Sequence, residues 1–474
     1  MKSSRKNQKR VIASALTALF LTHQSMLLSV AASEISGVTG NNGIFNIAPG
    51  ARIPDSDIGY RKYQNFNLDK GDIANLIYKY GNHDIETFVN LVDNKINING
   101  IVNSVRDGNF YNGKAVFVSP NGMVVGASGV LNVGSLSVYT PNDVVYSRYK
   151  NNPTKDLSTL ENSYGGKEVT INGKVFAAND VLLNGGKVTV GKDGAVMAGI
   201  NENKMLAMNS NAQAEALFNQ LVNTDNLNKG NQFASSNGNV YIKSNQRLDD
   251  AGVDISGTIK NFGTGNTEIR STGVDGIKIA GTVSNADGLL KINNNWGDLN
   301  ISGDVKNKGT TQIFNVPGES TVTFEVNGQK YSYKLDTNNG TDISGNIDTI
   351  GDLTITNTGD KGLNISGTVN NDGNLNIQNG IAGSNSTSEI RNNRTQALNI
   401  SGTVTNTGNA TINNDAKGGL LVSGTVENAD GKLSMVNNGN EGFTVTNSGT
   451  VNGISKDGLS SDIEMINNNG SFNI

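Results

Sequence analysis

A seven-residue frame recurs through the second half of the chain and constrains the fold more than any other feature of the sequence. The frame reads Ile-Ser-Gly-Thr-Val-x-Asn, in which x is variable. Its copies are ISGTIKN from Ile255, IAGTVSN from Ile279, ISGDVKN from Ile301, ISGTVNN from Ile365, ISGTVTN from Ile400 and VSGTVEN from Val422, with degraded copies at Ile343 and Asn447. A frame repeated at a regular interval is typical of solenoid proteins, in which each repeat packs on the next.

The glycine of each copy gives the length of the repeat. Successive frame glycines are separated by 24, 22, 42, 22, 35, 22 and 25 residues. The 42-residue interval predicts two units of 21 with an eroded middle copy, and the 35-residue interval predicts one unit plus an insertion at Gly380 to Thr395. The glycines are Gly257, Gly281, Gly303, Gly345, Gly367, Gly402, Gly424 and Gly449.

Within one unit, apolar and polar residues alternate in short runs. Leu363, Ile365 and Val369 alternate with polar residues, Asn371-Asp372-Gly373 is typical of a turn, and a second alternating run follows. Alternation with a period of two predicts strands with one buried face. Strands this short do not pair stably alone. We therefore predict an all-β fold, a right-handed parallel β-helix with N-terminal capping strands and a short helical insertion. Independent hairpins would not require a fixed frame.

The residue that closes the frame is asparagine in six copies. In a β-helix these side chains would lie ~4.8 Å apart and form a hydrogen-bonded ladder. Such a ladder would also satisfy backbone amides in the turns. The predicted ladder comprises Asn261, Asn285, Asn307, Asn371, Asn406 and Asn428.

Two segments depart from the repeat pattern. Met205 to Val222 has Leu206, Ala207, Leu217 and Leu221 at helical spacing, which predicts a helix that projects from the rod and has mainly a local packing role. Asn151 to Gly166 is predicted to be a surface loop. At ~22 residues per coil the chain after Ser33 would make about 20 coils, less any insertions. We divide it into a first β-helix domain at 33–250, with the helix near 205–222, and a repetitive domain at 251–474.

The N-terminus has the pattern of a secretory signal peptide. A basic head precedes an apolar stretch from Val11 to Val30, and small residues follow up to Ser33, which predicts a signal peptide at 1–32. His23, Gln24 and Ser25 interrupt the apolar stretch, which argues against a membrane anchor. We expect no transmembrane helix in the mature chain. With no cysteine, an exported chain must be stable without disulfides. A net charge of −4 gives no indication of a nucleic-acid or anionic-membrane partner.

Three sequence motifs in the first third of the chain resemble those of a known family. They are NIAP ending at Pro49, GYRKYQNFNL from Gly59, and SPNGMVVGASGVLNVGSL from Ser119. With these motifs, roughly Gly43 to Pro141 resembles the haemagglutination-type secretion domain of two-partner secretion exoproteins, the filamentous-haemagglutinin-like adhesins, and within them the leukotoxin-like branch. The family motif Asn-Pro-Asn-Gly appears here as Ser119, Pro120, Asn121 and Gly122. A second family motif, Asn-Pro-Asn-Leu, is absent; the corresponding region is near Tyr80 to Asn90.

The resemblance implies a route of export and a role for the Ser-Pro-Asn-Gly segment. In the family, this domain is recognised in the periplasm by a separate outer-membrane pore, the translocator, and then starts β-helix growth. Ser119, Pro120, Asn121 and Gly122 are the residues to which translocator recognition or nucleation carries over. The segment suits a type I or II turn, because proline fixes φ at the second position and Asn-Gly allows a positive φ after it.

Few residues point to catalysis. A β-helix enzyme that cleaves polysaccharides would need converging carboxylates, or histidines around a metal. His83 is the one histidine after the predicted signal peptide, and Asp249-Asp250 lies in a turn-like run. We therefore expect no catalytic site, no metal and no cofactor. Carboxylates clustered on one lateral groove would instead favour an enzyme.

The sequence predicts a secreted or surface-exposed adhesin-like exoprotein that passes through the periplasm and acts by binding host cells or other surfaces. Two alternatives remain open. One is a carbohydrate-active β-helix enzyme, and the other is an inert structural surface filament. The receptor is not identified by the sequence.

Overall fold

The computed structural model describes residues 33–163, 166–224, 232–235, 238–245, 250–316, 321–326, 329–334, 339–381, 396–453 and 462–474. The predicted signal peptide, Asp249 and most of the predicted insertion at Gly380 to Thr395 lie outside these residues.

The strands form three long sheets, called A, B and C, which the chain visits in the order B, C, A. Sheet A contains Glu34–Ile35, Phe66–Leu68, Ile96–Ile98, Met123–Val125, Glu168–Ile171, Lys187–Val190, Gly252–Ile255, Gly276–Ile279, Leu299–Ile301, Thr341–Ile343, Leu363–Ile365, Leu398–Ile400, Leu420–Val422, Phe443–Val445 and Phe472–Asn473. Sheet B contains Ile44–Ile47, Ile73–Ile77, Ile101–Arg106, Asn109–Phe110, Val130–Val133, Lys174–Ala177, Ala195–Ala198, Thr258–Asn261, Thr282–Asn285, Asp304–Asn307, Asn346–Thr349, Thr368–Asn371, Thr403–Asn406, Thr425–Asn428 and Thr450–Gly453. Sheet C contains Ala51–Arg52, Ile58–Tyr63, Thr87–Val92, Lys114–Val118, Ser135–Tyr139, Val181–Gly185, Val240–Ser244, Thr267–Ser271, Leu290–Asn294, Thr311–Asn315, Leu353–Asn357, Leu375–Asn379, Ala410–Asn414, Leu433–Asn437 and Ile463–Asn467.

Each sheet has 15 strands, of which one pairs antiparallel: Glu34–Ile35 in sheet A, Asn109–Phe110 in sheet B and Ala51–Arg52 in sheet C. The other strands are parallel and stack as 14 successive coils in the described part of the chain. The predicted parallel β-helix is therefore confirmed, and Glu34–Ile35 and Ala51–Arg52 lie at its N-terminal edge as capping strands. The estimate of about 20 coils was too high, because insertions take up more of the chain than expected.

The register places each frame residue on its counterpart in the next coil. Ile279 pairs with Ile255 on one side and Ile301 on the other, and all three side chains are buried. One apolar core runs from Ile35 to Phe443 and continues across the proposed boundary at residue 250. Each fully buried aliphatic side chain contributes about 1.5–3 kcal/mol, so the alternating pattern accounts for most of the driving force.

The frame glycine allows neighbouring coils to approach closely where sheet A turns into sheet B. A Cβ on Gly303 would lie 2.0 Å from the carbonyl oxygen of Gly281, and one on Gly367 would lie 2.0 Å from that of Gly345. No side chain fits at such a distance, so the requirement is steric. This explains why glycine recurs in every copy of the frame.

The 42-residue interval is one coil with an insertion, so the prediction of two units was wrong. Thr311–Asn315 pairs directly with Leu353–Asn357, and Asp304–Asn307 with Asn346–Thr349. Between them, Thr321–Val326 and Gln329–Lys334 form an antiparallel hairpin that joins none of the three long sheets. The 35-residue interval is one unit plus an insertion, as predicted, because Thr368–Asn371 pairs directly with Thr403–Asn406.

Three α-helices lie in two insertions in the described part of the chain. Helix α1 (Asp143–Asn151) and the single turn α2 (Ser158–Glu161) follow a strand of sheet C, and α3 (Asn211–Asn223) follows a strand of sheet B. The predicted loop at Asn151 to Gly166 therefore contains a helical turn. The sequence analysis missed α1, although Asn142 caps it through a hydrogen bond from the Val145 amide.

Helix α3 lies on the outer face of sheet B, so the prediction that it projects from the rod was wrong. Leu217 and Leu221 are buried in a cluster that includes Phe176 and Met197 of sheet B. Leu206, which the sequence assigned to the helix, precedes it and is 71 % exposed. A further short hairpin, Lys79–Tyr80 with His83–Asp84, lies at the N-terminal end.

We predict that deleting residues 318–337 leaves the β-helix intact. Five residues would then connect sheets C and A at this coil, as Thr358 to Gly362 do one coil later. Shortening this connection fivefold changes its closure free energy by about 1.4 kcal/mol, so the free energy of unfolding should change by no more than about that amount. Circular dichroism and urea denaturation would check this. Loss of the β-sheet spectrum would contradict the assignment of the hairpin as an insertion.

Candidate functional site

The Ser-Pro-Asn-Gly segment forms a buried turn where the chain passes from sheet C to sheet A, here called the C–A corner. The Ser119 hydroxyl donates to the carbonyl oxygen of Asn94 at 2.8 Å and accepts from the Asn121 amide at 3.1 Å. The positive φ of 90° falls at Gly122, and Asn121 has no positive φ. A type II turn would need the positive φ at Asn121, so it is excluded. The Gly122 amide donates back to the Ser119 carbonyl oxygen at 3.4 Å.

The turn is fixed to the preceding coil and to helix α1 through Asp93. The Asn121 side chain donates to the Asp93 carbonyl oxygen at 2.7 Å. The Asp93 carboxylate accepts from the Tyr146 hydroxyl at 3.0 Å and from the Lys150 ammonium at 2.5 Å. Burial, together with the nearby Asp93 charge, raises the pKa of the Tyr146 hydroxyl well above its usual range. Tyr146 therefore remains a neutral donor at physiological pH.

The residues beside this turn form a polar strip along the C–A corner of the first three coils, here called the corner strip. Asn94 donates to Asn65 at 2.6 Å, and Asn65 donates to Glu34 at 2.6 Å. Glu34, Asn94 and Asn121 are exposed, and Asn65 is partly exposed. Of the predicted recognition residues, Asn121 is exposed and belongs to this surface, whereas Ser119, Pro120 and Gly122 are buried. The sequence missed its other members, because Asn94 and Asn65 precede Asn121 by one and two coils, respectively.

Two of the three outer faces of the N-terminal coils are covered by the protein's own insertions. Tyr146, Tyr149 and Leu160 pack on outer residues of sheet C, including Val116 and Val118. Helix α3 and the residues just before it cover the outer face of sheet B. There, Asn103 donates to the carbonyl oxygen of Met208 and Asn132 to that of Leu206. The outer residues of sheet A are partly exposed and belong to neither cluster; they are Asn67, Asn97, Val124 and Thr170.

The six asparagines that close the frame lie in one column, at the corner where sheet B meets sheet C, here called the B–C corner. Asn261 donates to Asn285 at 2.9 Å and Asn285 to Asn307 at 3.2 Å. Further along, Asn371 donates to Asn406 and Asn406 to Asn428, both at 2.7 Å. Thr349 occupies the coil between Asn307 and Asn371, so the ladder has two runs.

A second asparagine ladder, which the sequence analysis missed, lies at the C–A corner. Its six hydrogen bonds, of 2.8–3.1 Å, join consecutive coils without a break. A signal was present, because each of the strands concerned ends in asparagine two residues after a core position. The members are Asn294, Asn315, Asn357, Asn379, Asn414, Asn437 and Asn467.

A groove of about 520 Å³ runs along the B–C corner over four consecutive coils. Asp348, Asp372 and Glu427 line it together with threonines and asparagines. Asp348 accepts from Asn370 at 2.9 Å, and Asp372 accepts from the Thr407 hydroxyl at 2.5 Å. None of the three carboxylates makes an ion pair with any residue of the described ranges. Carboxylates therefore do share one lateral groove, the arrangement that would favour an enzyme.

Other catalytic signals are weak in the described part of the chain. His83 is exposed in the short N-terminal hairpin. Within the described ranges, no three His, Cys, Asp or Glu side chains are close enough together to hold a metal ion. None of the helices that the structure describes has the length and apolar character to cross a membrane.

No family model matches the chain, and no curated protein matches it.

We predict that Asn379→Ala destabilises the protein by about 1–3 kcal/mol, the cost of leaving buried polar groups without partners. The Asn379 amide donates to Asn414 and to the Gln396 carbonyl oxygen, both at 2.9 Å, and its oxygen accepts from Asn357. Urea denaturation would measure the change. Asn376→Ala is the matched control, because Asn376 is exposed on the same strand and should change stability by no more than about 0.5 kcal/mol. Equal effects would contradict a stabilising role for the second ladder.

Proposed function

We propose that this protein is an exported, adhesin-like exoprotein of the two-partner secretion type. A separate outer-membrane pore would recognise its N-terminal coils, and the later coils would bind a host-cell or other surface. The observation that carries the first part is the corner strip, which includes Asn121 of the Ser-Pro-Asn-Gly turn and remains exposed where two neighbouring faces are covered.

The corner strip has the properties of a recognition surface. Its side chains are held by hydrogen bonds between coils, so little conformational entropy would be lost on binding. The turn beneath it is fixed by Ser119 and Asp93. Exposed amides and a carboxylate would give a translocator directional hydrogen bonds rather than a broad apolar contact.

The fold suits export of an unfolded chain. Each coil pairs with the coil before it and the coil after it, so a chain leaving a pore from its N-terminus can add coils one at a time. The capping strands Glu34–Ile35 and Ala51–Arg52 cover the N-terminal edge of the first coils. New coils can therefore add only at the other edge. This supports a nucleating role for the N-terminal coils.

Binding by the later coils requires no cofactor. The later coils in the described part of the chain present rows of outward side chains at ~4.8 Å intervals. Such rows suit ligands with a repeating structure, for which many weak contacts add to a useful avidity. An inert filament has the same fold, and a binding assay with purified protein would separate the two hypotheses.

A carbohydrate-active enzyme is the second candidate, because Asp348 and Asp372 share the groove on adjacent coils. A general acid normally lies in an apolar pocket, whereas these carboxylates lie in an open groove among hydroxyls and amides. We expect no increase in reducing ends when the protein is incubated with soluble polysaccharides. An increase that Asp348→Asn abolishes would establish the enzyme instead.

We predict that the double variant Asn94→Lys, Asn121→Lys is exported poorly. Two positive charges on the corner strip would disrupt recognition, and a loss of about 1.4 kcal/mol would reduce pore binding about tenfold. The fraction of the full-length chain outside the outer membrane, relative to the periplasm, would be measured by immunoblotting in the cell that produces it.

The matched control is Asn346→Lys, Asn376→Lys. Both asparagines are exposed on later coils, and Asn346 makes a similar bond to Asp304 at 2.9 Å. This control should be exported normally. Normal export of the corner variant would contradict recognition through the corner strip, and retention of the unaltered protein in the cytosol would contradict the proposed route.

A further inference from the structure

The groove at the B–C corner follows directly from the asparagine ladder. In each of the four coils that line the groove, the residue at the ladder position is buried, whereas the residue before it and the residue after it are at least partly exposed. Asn371 is buried, while its neighbours Asn370 and Asp372 are exposed. Two outward rows therefore flank a row that presents only backbone to solvent. Stacking repeats this pattern in successive coils, which forms the continuous groove along the B–C corner.

The variable slot of the frame forms one wall of the groove. The slot holds Asp348, Asn370, Thr405 and Glu427 in four consecutive coils, in register with one another. The opposite wall comes from the first turn residue, which is Asp372 or Thr407 in the two middle coils. The interior frame is constant, so the chemistry of the walls can vary without a cost to the core.

The groove is covered by another segment in an earlier coil, and it is open in the four coils just described. In the first ISGT copy, the slot residue Lys260 donates to the carbonyl oxygens of Leu221 and Val222 at the end of α3. In the four later coils the connection from sheet B to sheet C is three or four residues long. No segment in the described ranges therefore occupies the groove.

The walls combine hydroxyls and amides with carboxylates that have no counter-ion among the residues that the structure describes. Thr405 donates to Asn370 at 2.6 Å, which links adjacent coils along one wall. The residues described as lining the groove include no lysine or arginine. A ligand that matches these walls must carry hydroxyl groups and positive charge, because an unpaired carboxylate is best complemented by a cation.

We propose that the groove binds an extended oligosaccharide of amino sugars with free amino groups, of the glucosamine type. Successive sugars of such a chain can follow the ~4.8 Å coil interval, with hydroxyls on the amides and threonines and ammonium groups on the carboxylates. The inference rests on the proposed adhesin function and names a ligand class for it. A neutral polyol leaves the three charges unmatched, and a plain polycation leaves the hydroxyl and amide rows unused.

The test measures binding of the full-length protein to glucosamine oligomers by calorimetry at low ionic strength and slightly acidic pH. We expect the free-amine oligomer to bind at least about tenfold more tightly than its N-acetylated counterpart, the factor that corresponds to roughly 1.4 kcal/mol. The triple variant Asp348→Asn, Asp372→Asn, Glu427→Gln should lose this preference. Higher salt should weaken binding of the free-amine oligomer.

The matched control is Asp254→Asn, Glu268→Gln, Asp342→Asn, which removes the same charge from the outer faces of sheets A and C. It should bind as the unaltered protein does, and unchanged thermal melting would show that both triple variants are folded. Thr405→Trp, which fills the groove without changing its charge, should also abolish binding.

Three results would overturn the inference: equal binding of the N-acetylated oligomer, equal binding of an oligolysine of the same charge, or an effect of the control equal to that of the groove variant. Failure here would be distinguishable from failure of the proposed function. The groove variant and the unaltered protein would then be exported and would adhere to cells equally well.

Discussion

The structure depends on registered stacking of short strands at the ~4.8 Å interval of a parallel sheet. Strands of three to five residues are too short to be stable alone, so each is stable because its counterparts lie above and below it. Stacking places like residues over like, and this selects side chains that tolerate self-contact. Isoleucine and valine fill the interior, asparagine hydrogen-bonds to asparagine, and glycine stands where two backbones approach to the distance seen between Gly281 and Gly303.

The parts that follow from this constraint could be predicted from the sequence, and the insertions could not. From the frame we could predict the winding into coils, the buried residues of each coil and the asparagine ladder at the B–C corner. The hairpin was misread as a coil, because the 42-residue interval equals two units of 21 residues. Asn327-Gly328 between the two hairpin strands was the signal that should have decided the matter, since Asn-Gly favours a two-residue hairpin turn.

The position of α3 could not be predicted from its own sequence, because a helix pattern does not say what the helix covers. The strands beneath it held that information. Sequences such as KVFA at Lys174–Ala177 and AVMA at Ala195–Ala198 are buried on both faces, whereas the frame strands alternate. A strand that is apolar throughout needs a cover on its outer side. For the candidate site, sequence placed the Ser119 turn but not the corner strip, whose members meet only through the register of successive coils.

Stability and recognition are separated by side-chain direction in this fold. Inward positions are nearly invariant between copies of the frame, since a change there leaves a cavity or an unpaired polar atom in a stack that neighbouring coils share. The outward slot varies freely, from Lys306 to Asn370 to Glu427. The inward asparagine ladder also shapes the groove that this slot lines. The ladder therefore both stabilises the B–C corner and forms the groove whose wall residues vary between coils. One substitution in the slot can therefore change the chemistry of the groove wall at little cost to the free energy of unfolding.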